Sequence, residues 1–361
     1  MMTTTSTKPS LFGIRNSNRD FEKATAWGKN QFNSSFPIAL TCYMHHVGLQ
    51  AVYLMLDDNF HVIQGKIGAE KIFGIQPDSD NLFFDFESDF APYRKIVSGS
   101  LPRIDVVTSD RTKEHAFRAL EVKLTALPDD GTSHLQDDAF GCEIVVRPDT
   151  VVYQALSLAL CFENERELLH DLLSKSCSSI QDWNDETLIA SHMDDLAEGI
   201  RQIAKSKFHK QQPLVLQPIW KTVGKSTELA DNCLDVFVWS DMALLRLYVD
   251  ETKKGNGKKR FSRPYRAITW LAKMLYDYSL TGEIKNPKQT IRHLSFQSYT
   301  DKAFAMGGLR THKYMTCKEL TRPRVSKSEL KNIILGGGQK LLSPERRFDA
   351  IIANTPNLFL S

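Results

Sequence analysis

The run Phe117-Arg118-Ala119-Leu120-Glu121-Val122-Lys123-Leu124 constrains this chain more than any other segment, because its apolar and charged residues alternate as they do along a strand. Alternation predicts that Leu120, Val122 and Leu124 enter a core while Glu121 and Lys123 share the opposite face. The preceding run Arg103-Ile104-Asp105-Val106-Val107-Thr108 also reads as a strand, and Ser109-Asp110-Arg111-Thr112-Lys113-Glu114 reads as the connection. A hairpin symmetric about Lys113 sets Asp105 opposite Glu121. Two carboxylates on adjacent strands suit a hard divalent cation such as Mg²⁺, which prefers oxygen ligands and keeps waters for phosphate chemistry.

The triplet Glu-x-Lys is not specific by itself, since Glu251-Thr252-Lys253, Glu283-Ile284-Lys285 and Glu329-Leu330-Lys331 also match it. Context separates them. The first runs into a Lys/Gly loop, the second sits at the Gly/Asn/Pro-rich exit of a helix, and the third lies in a run with helical spacing. Only Glu121 has apolar alternation on both sides and an Asp at a cross-strand position. On pattern alone a surface Glu-Lys pair at a sheet edge is the competing reading.

A chain of 361 residues with 42% hydrophobic content can bury a substantial core as one large domain or two, which excludes a disordered protein. Its formal net charge is only +3, so affinity for a polyanion must come from local clusters. The six cysteines, at positions 42, 142, 161, 177, 233 and 317, form no CxxC pair, which argues against zinc ribbons and a dense disulfide framework. The Thr/Ser-rich residues 1–10 lack a signal peptide's apolar stretch and read as a disordered tail. The longest apolar region, Val151 to Phe162, is interrupted by Gln154 and Ser157 and is too short to span a bilayer core of about 30 Å. A soluble cytoplasmic protein with reduced thiols is the expectation.

Residues 11–180 are expected to form an N-terminal part holding the acidic hairpin, and 181–361 a mostly helical C-terminal part packed on it. In the first part, Asn16, Ser17, Asn18, Arg19, Lys29, Asn30, Gln31 and Asn33 precede a helix expected to begin near Pro37. They read either as a turn-rich helix entry or as DNA contacts, since Asn and Gln pair with adenine and all of these groups bond phosphate. Leu49 to Leu56 and Phe60 to Ile67 flank Asp57-Asp58-Asn59 and predict a hairpin. Phe83 to Phe90 alternates aromatic and acidic residues, and Glu70, Glu87 or a neighbouring acid is open as a further metal ligand. A Pro128-Asp129-Asp130-Gly131 turn, a third apolar run at Gly141 to Val146 and a helix capped by Asp149 or Thr150 follow. The order strand, strand, strand, helix predicts an α/β sheet covered by helices.

The second part is predicted to hold a helix near Asp185 to Phe208, strands at Pro213 to Trp220 and Cys233 to Trp239, then helices broken at Gly336-Gly337-Gly338. Between Lys253 and Lys273 no acid occurs, while Lys258, Lys259, Arg260, Arg263 and Arg266 cluster with Gly255, Gly257, Phe261 and Tyr265. Such a segment grips phosphates by displacing counterions, and Arg263 or Arg266 is placed to read guanine. A solvated loop ahead of a Tyr265 to Tyr278 helix is the alternative.

Five blocks carry a resemblance to a known family. They are Phe12-Gly13-Ile14-Arg15-Asn16-Ser17-Asn18-Arg19-Asp20; Trp27 through Pro37; Leu120-Glu121-Val122-Lys123-Leu124-Thr125; Asn232 through Asp241; and Leu342-Ser343-Pro344-Glu345-Arg346-Arg347-Phe348-Asp349-Ala350. Together they resemble the HindVP-type family of type II restriction endonucleases, within the PD-(D/E)xK nuclease class, and they run through nearly the whole chain. The class pattern joins Pro directly to the first acid, whereas here Arg103 and Ile104 separate Pro102 from Asp105, which leaves Asp110 as the alternative acid.

The resemblance implies a restriction-endonuclease-like α/β fold, with a mixed central sheet flanked by helices and a largely helical C-terminal half. It also implies Mg²⁺-dependent cutting of double-stranded DNA at a short, G/C-rich palindrome, leaving 5′-phosphates. A homodimer and a companion DNA methyltransferase protecting host sites complete the expectation. Asp105, Glu121 and the Val122 carbonyl would hold the metal, and Lys123 would orient or deprotonate the attacking water. A structure-specific repair or recombination nuclease and a non-catalytic DNA-binding protein are the rivals. Discrete fragments from unmodified plasmid separate the first rival, and metal-dependent cleavage separates the second.

Overall fold

A computed structural model describes residues 14, 16–19, 29–46, 48–123, 144–218, 236–254, 263–296 and 304–306. The 1–10 tail, the 128–131 turn, Lys258, Lys259, Arg260, the glycine run at 336–338 and the 342–350 block lie outside these residues. The elements run α1 (Lys29–His46), β1 (Ala51–Leu56), β2 (Val62–Ile67), α2 (Ala69–Phe73), β3 (Leu82–Ser88), β4 (Val97–Ser98), β5 (Ile104–Asp110), β6 (Ala116–Val122) and β7 (Ile144–Val146). Then follow α3 (Pro148–Cys161), α4 (Arg166–Cys177), α5 (Glu186–Ser191), α6 (Met193–Lys207), β8 (Pro213–Pro218), β9 (Val236–Ser240), α7 (Asp241–Lys254), α8 (Arg263–Thr281), β10 (Ile284–Lys285), α9 (Pro287–His293) and β11 (Phe304–Met306).

Seven strands form one sheet in the order β2-β1-β9-β8-β6-β5-β3. The β1–β9 and β6–β8 neighbours are parallel and the remaining pairs antiparallel, so the sheet is mixed. Although β8 and β9 come from the second half of the chain, they sit in its middle. Their sequences explain why: Val236-Phe237-Val238-Trp239 is buried throughout, as a strand covered on both faces requires. On one face Val107, Ala119, Val215, Phe237 and Trp239 join residues of α3, α4, α6, α7 and α8 in one large core. Val106, Leu120, Val122 and Leu216 are buried outside that core. There α1 and α2 approach β6, and Phe73 meets Phe84 edge-on at 5.1 Å.

Several elements differ from expectation. The first helix starts at Lys29 and carries Pro37 in its interior, where the burial of Ile38, Ala39, Leu40, Cys42 and Met44 outweighs the missing N–H. The apolar stretch after residue 148 is two helices, broken at Phe162 to Glu165, because Glu163, Asn164 and Glu165 interrupt the apolar face. The third apolar run, β7, pairs with β11 outside the main sheet. No helix among the described residues is long and apolar enough to cross a membrane.

Candidate active site

The β5–β6 hairpin pairs Val106 with Leu120, Val107 with Ala119 and Thr108 with Arg118, a register centred on Lys113. Continuing it by one residue sets Asp105 across from Glu121. The pairing shifts at Thr108/Ser109, and Lys113 at the tip takes a left-handed φ of 62°. Asp110 organises this turn: its carboxylate accepts from Glu114 N–H at 3.0 Å and Thr112 Oγ1 at 2.9 Å, and contacts His115 Nδ1 at 2.9 Å. The alternative acid is thus engaged at the end of β5 opposite to Asp105.

At the other end of the hairpin, Asp105 Oδ2 accepts the Val122 N–H at 2.8 Å, which ties the first acid to the backbone between Glu121 and Lys123. The Lys123 ammonium donates to Glu121 Oε1, and both side chains are nearly enclosed, at 10% and 7% exposure. Lys123 N–H continues onto β8 by donating to the Leu216 carbonyl at 3.0 Å. Instead of lying on an open sheet face, the pair is covered. Tyr153 on α3 closes one side, its hydroxyl donating to the Arg103 carbonyl just before β5. Asp149, in the first turn of α3, adds a third charge within electrostatic reach of Glu121.

Burial pushes the Glu121 carboxyl up to about 8, the nearby Asp105 charge pushes the same way, and Lys123 opposes both. Desolvation and a neighbouring carboxylate both favour a further cation beside Glu121. Burial, followed by the charges of Glu121, Asp149 and Asp105, also raises Tyr153, so its hydroxyl stays neutral. This donor set fits a hard divalent cation: two carboxylates at adjoining strand positions, one desolvated and short of compensating positive charge. Among the described residues, no group of three or more His, Cys, Asp or Glu side chains is arranged to hold a metal.

The β3–β5 register, Phe86 with Val106 and Ser88 with Ile104, brackets Glu87 beside Asp105. Glu87 has a left-handed φ of 51°, and it meets Arg19 Nη2 at 3.5 Å. Arg19 packs 4.1 Å over the Phe86 ring and donates to Ser35 Oγ. Burial draws the Arg19 guanidinium down to about 10, while Glu87 and Asp105 hold its proton on, so it remains a cation at the edge of the acid pair. Glu70 lies in the first turn of α2, its carboxyl folded over Gly68.

In the amide-rich N-terminal segment, Asn16 and Asn18 bond to the backbone of β3 and the turn before it. Asn18 donates to the Phe86 carbonyl and accepts the Phe86 N–H, each at 3.0 Å, and Asn16 donates to the carbonyls of Asp80 at 3.1 Å and Leu82 at 3.2 Å. Both residues cover the open edge of β3, which would otherwise expose unpaired backbone groups. Arg266 lies on α8 and is buried, at 5% exposure. Lys29, Asn30, Gln31, Asn33 and Arg263 belong to helices, with side chains outside the described part. Asp149, Tyr153 and the Arg19–Glu87 contact were not recognised from sequence as neighbours of the acid pair. The only available signal was their type, because pairing between distant segments leaves no local pattern.

A mixed sheet flanked by helices, with an acid and a Glu-x-Lys strand meeting at one end, defines a restriction-endonuclease-like α/β protein. The HindVP restriction endonuclease family matches over residues 27–359. The chain is 44% identical over 352 residues to the type II restriction enzyme HgiDI of Herpetosiphon aurantiacus, spanning 98% of this chain and 97% of that one. It is 40% identical over 358 residues to the probable type II restriction enzyme HindVP of Haemophilus influenzae, spanning 98% and 95%. No solved structure matches. The chain belongs to the HindVP restriction endonuclease family, a family of type II restriction enzymes.

Proposed function

We propose that this protein hydrolyses phosphodiester bonds of double-stranded DNA at a short, G/C-rich palindrome, with Mg²⁺ as cofactor, leaving 5′-phosphate and 3′-hydroxyl ends. The observation that carries this reading is the end of the β5–β6 hairpin, where Asp105, held by the Val122 N–H, adjoins the enclosed Glu121–Lys123 pair. Asp105 and Glu121 would hold the ion with the Val122 carbonyl. Mg²⁺, when bound, supplies a water of lowered pKa and offsets charge building on the phosphoryl oxygens. Asp105 is pinned by the Val122 N–H, so one oxygen is oriented before substrate arrives. Lys123 orients the attacking water and balances negative charge as it develops. Tyr153, neutral and fixed to the Arg103 carbonyl, stands buried beside the acid pair.

A palindromic target mirrors a two-fold protein, so the working form is a homodimer in the cytoplasm of a prokaryote. A companion methyltransferase protects the same sites in the host. The catalytic residues fall within 11–180, on a sheet that β8 and β9 complete, and the C-terminal part contributes to DNA binding. The test is a digest of unmethylated plasmid by the purified protein, with and without Mg²⁺, with the fragment ends mapped. Discrete fragments bearing 5′-phosphates only in the presence of Mg²⁺ are expected. A smear without fixed ends, or fragments formed equally in a chelator, sinks the reading.

A further inference from the structure

The basic surface beside the acid pair comes from an unexpected element. Helix α9 buries Pro287 and Ile291, with Leu294 buried just beyond its end, while Lys288, Gln289, Arg292 and His293 are exposed. These four residues line a cleft of about 1060 Å³ whose other walls include Asn184 and Asp149. Asp149 stands one helical turn before Tyr153, whose hydroxyl bonds the Arg103 carbonyl at the entry to β5, so the cleft shares α3 with the wall of the acid pair. Helix α9 is also held firmly there. The strand β10 just before it pairs with β4, and Asn286 N–H donates to the Ser98 carbonyl at 2.9 Å, on the segment leading into β5. Beyond the helix, Trp270 Nε1 donates to the Leu294 carbonyl at 3.1 Å.

Among the described residues no carboxylate lies within ion-pair distance of Lys288 or Arg292. Two cations a helical turn apart therefore face a cleft that also holds the Asp149 carboxylate. A DNA strand presented to Asp105, Glu121 and Asp149 meets like charge at every phosphate, so a nearby cationic wall must offset that repulsion. We propose that the exposed face of α9 is a DNA-backbone contact, in which Lys288 and Arg292 bind phosphates next to the scissile one. This proposal rests on the nuclease reading above. It assigns α9 to phosphate contact and not to base reading, because the two cations are spaced along one helix face beside the chemistry. Phosphate contacts set position and affinity without choosing sequence.

The test uses the full chain and a fluorescent fragment of unmethylated plasmid that the wild type cuts, with Ca²⁺ replacing Mg²⁺ to hold the complex uncut. Binding is followed by anisotropy between 50 and 200 mM KCl. For Lys288→Gln/Arg292→Gln, the plot of log affinity against log salt is expected to flatten by about 2, with affinity at low salt falling about 10- to 100-fold. Lys288→Arg/Arg292→Lys should keep the wild-type slope, and Lys175→Gln/Lys205→Gln, at exposed lysines of α4 and α6, should leave it unchanged. In Mg²⁺ the Gln variant should produce the wild-type fragment pattern at a lower rate. An unchanged slope, an equal loss in the α4/α6 control, loss in the charge-conserving variant or a changed fragment pattern each overturns the assignment. These results are separable from failure of the nuclease reading, in which the wild type itself cuts nothing.

Discussion

Two buried carboxylates, Asp241 and Glu121, share a desolvated environment and have opposite surroundings. Asp241, at the start of α7, is completely buried, and burial raises it to about 6. The rise is limited because its oxygens accept from Met242 N–H at 2.8 Å, Gln212 N–H at 3.0 Å and Ser157 Oγ at 3.0 Å. Glu121 has a lysine but also a second carboxylate, and it rises further, to about 8. The difference teaches how to tell a structural acid from a working one. A buried acid surrounded by donors is complete as it stands. One facing another acid leaves room for a further cation, the role proposed for Glu121.

The same chemical change at both positions is the sharpest way to break this comparison. Glu121→Gln should lower cleavage by about a thousandfold or more, the scale for removing a group that stabilises developing charge, while DNA binding persists. Asp241→Asn should leave the cleavage rate at a common folded concentration unchanged. Equal losses in the two variants, measured by single-turnover cleavage alongside a binding assay, would erase the distinction.

A second effect separates the pair through stability. The folded form keeps the Asp241 proton up to about pH 6, whereas an unfolded chain releases it near pH 4. The folded state therefore binds more protons between those values. Stability associated with this group is fully present below about pH 4 and is lost as pH rises through about 6. Urea unfolding of the wild type against Asp241→Asn should show this difference growing by about 3 kcal/mol across that window. Parallel pH profiles would show that Asp241 is not the acid described.

How much of this was legible in the sequence depends on the range of the interactions. The hairpin centred on Lys113 was readable because the alternation of Ala119 to Lys123 and the polar turn are local. The β1–β2 hairpin and the long α8 were readable for the same reason. The insertion of β8 and β9 between β1 and β6 was not, since partner choice among distant strands leaves no trace in the local pattern. Pro37 misled because local propensity is a weak guide when a helix face is buried. Asn16 and Asn18 looked like ligands for DNA, but an amide that suits adenine also suits the backbone of an open strand edge. The α9 face escaped notice because seven residues carry too few turns to display amphipathic periodicity.

Smaller effects sharpen the same division between structural and working polar groups. Asn18→Ala leaves the Phe86 N–H without its acceptor and should cost about 1 to 3 kcal/mol in unfolding free energy, with the fragment pattern unchanged. A changed recognition pattern at full stability would return Asn18 to the DNA interface. Smallest of all, Asp110→Asn should leave cleavage within about twofold, since it disturbs one turn at the opposite end of β5 from Asp105. Loss of cutting there would move the first acid from Asp105 to Asp110.

The central claim is that Asp105 and Glu121 together seat a divalent cation beside the scissile phosphate. It is tested most directly by cleavage rate as a function of Mg²⁺ concentration, for the wild type, Asp105→Asn and Glu121→Gln. The wild type should show a saturable rise from zero, and both variants should stay at background throughout. Cutting that persists in a chelator, or a wild-type Mg²⁺ response from either variant, would contradict the account.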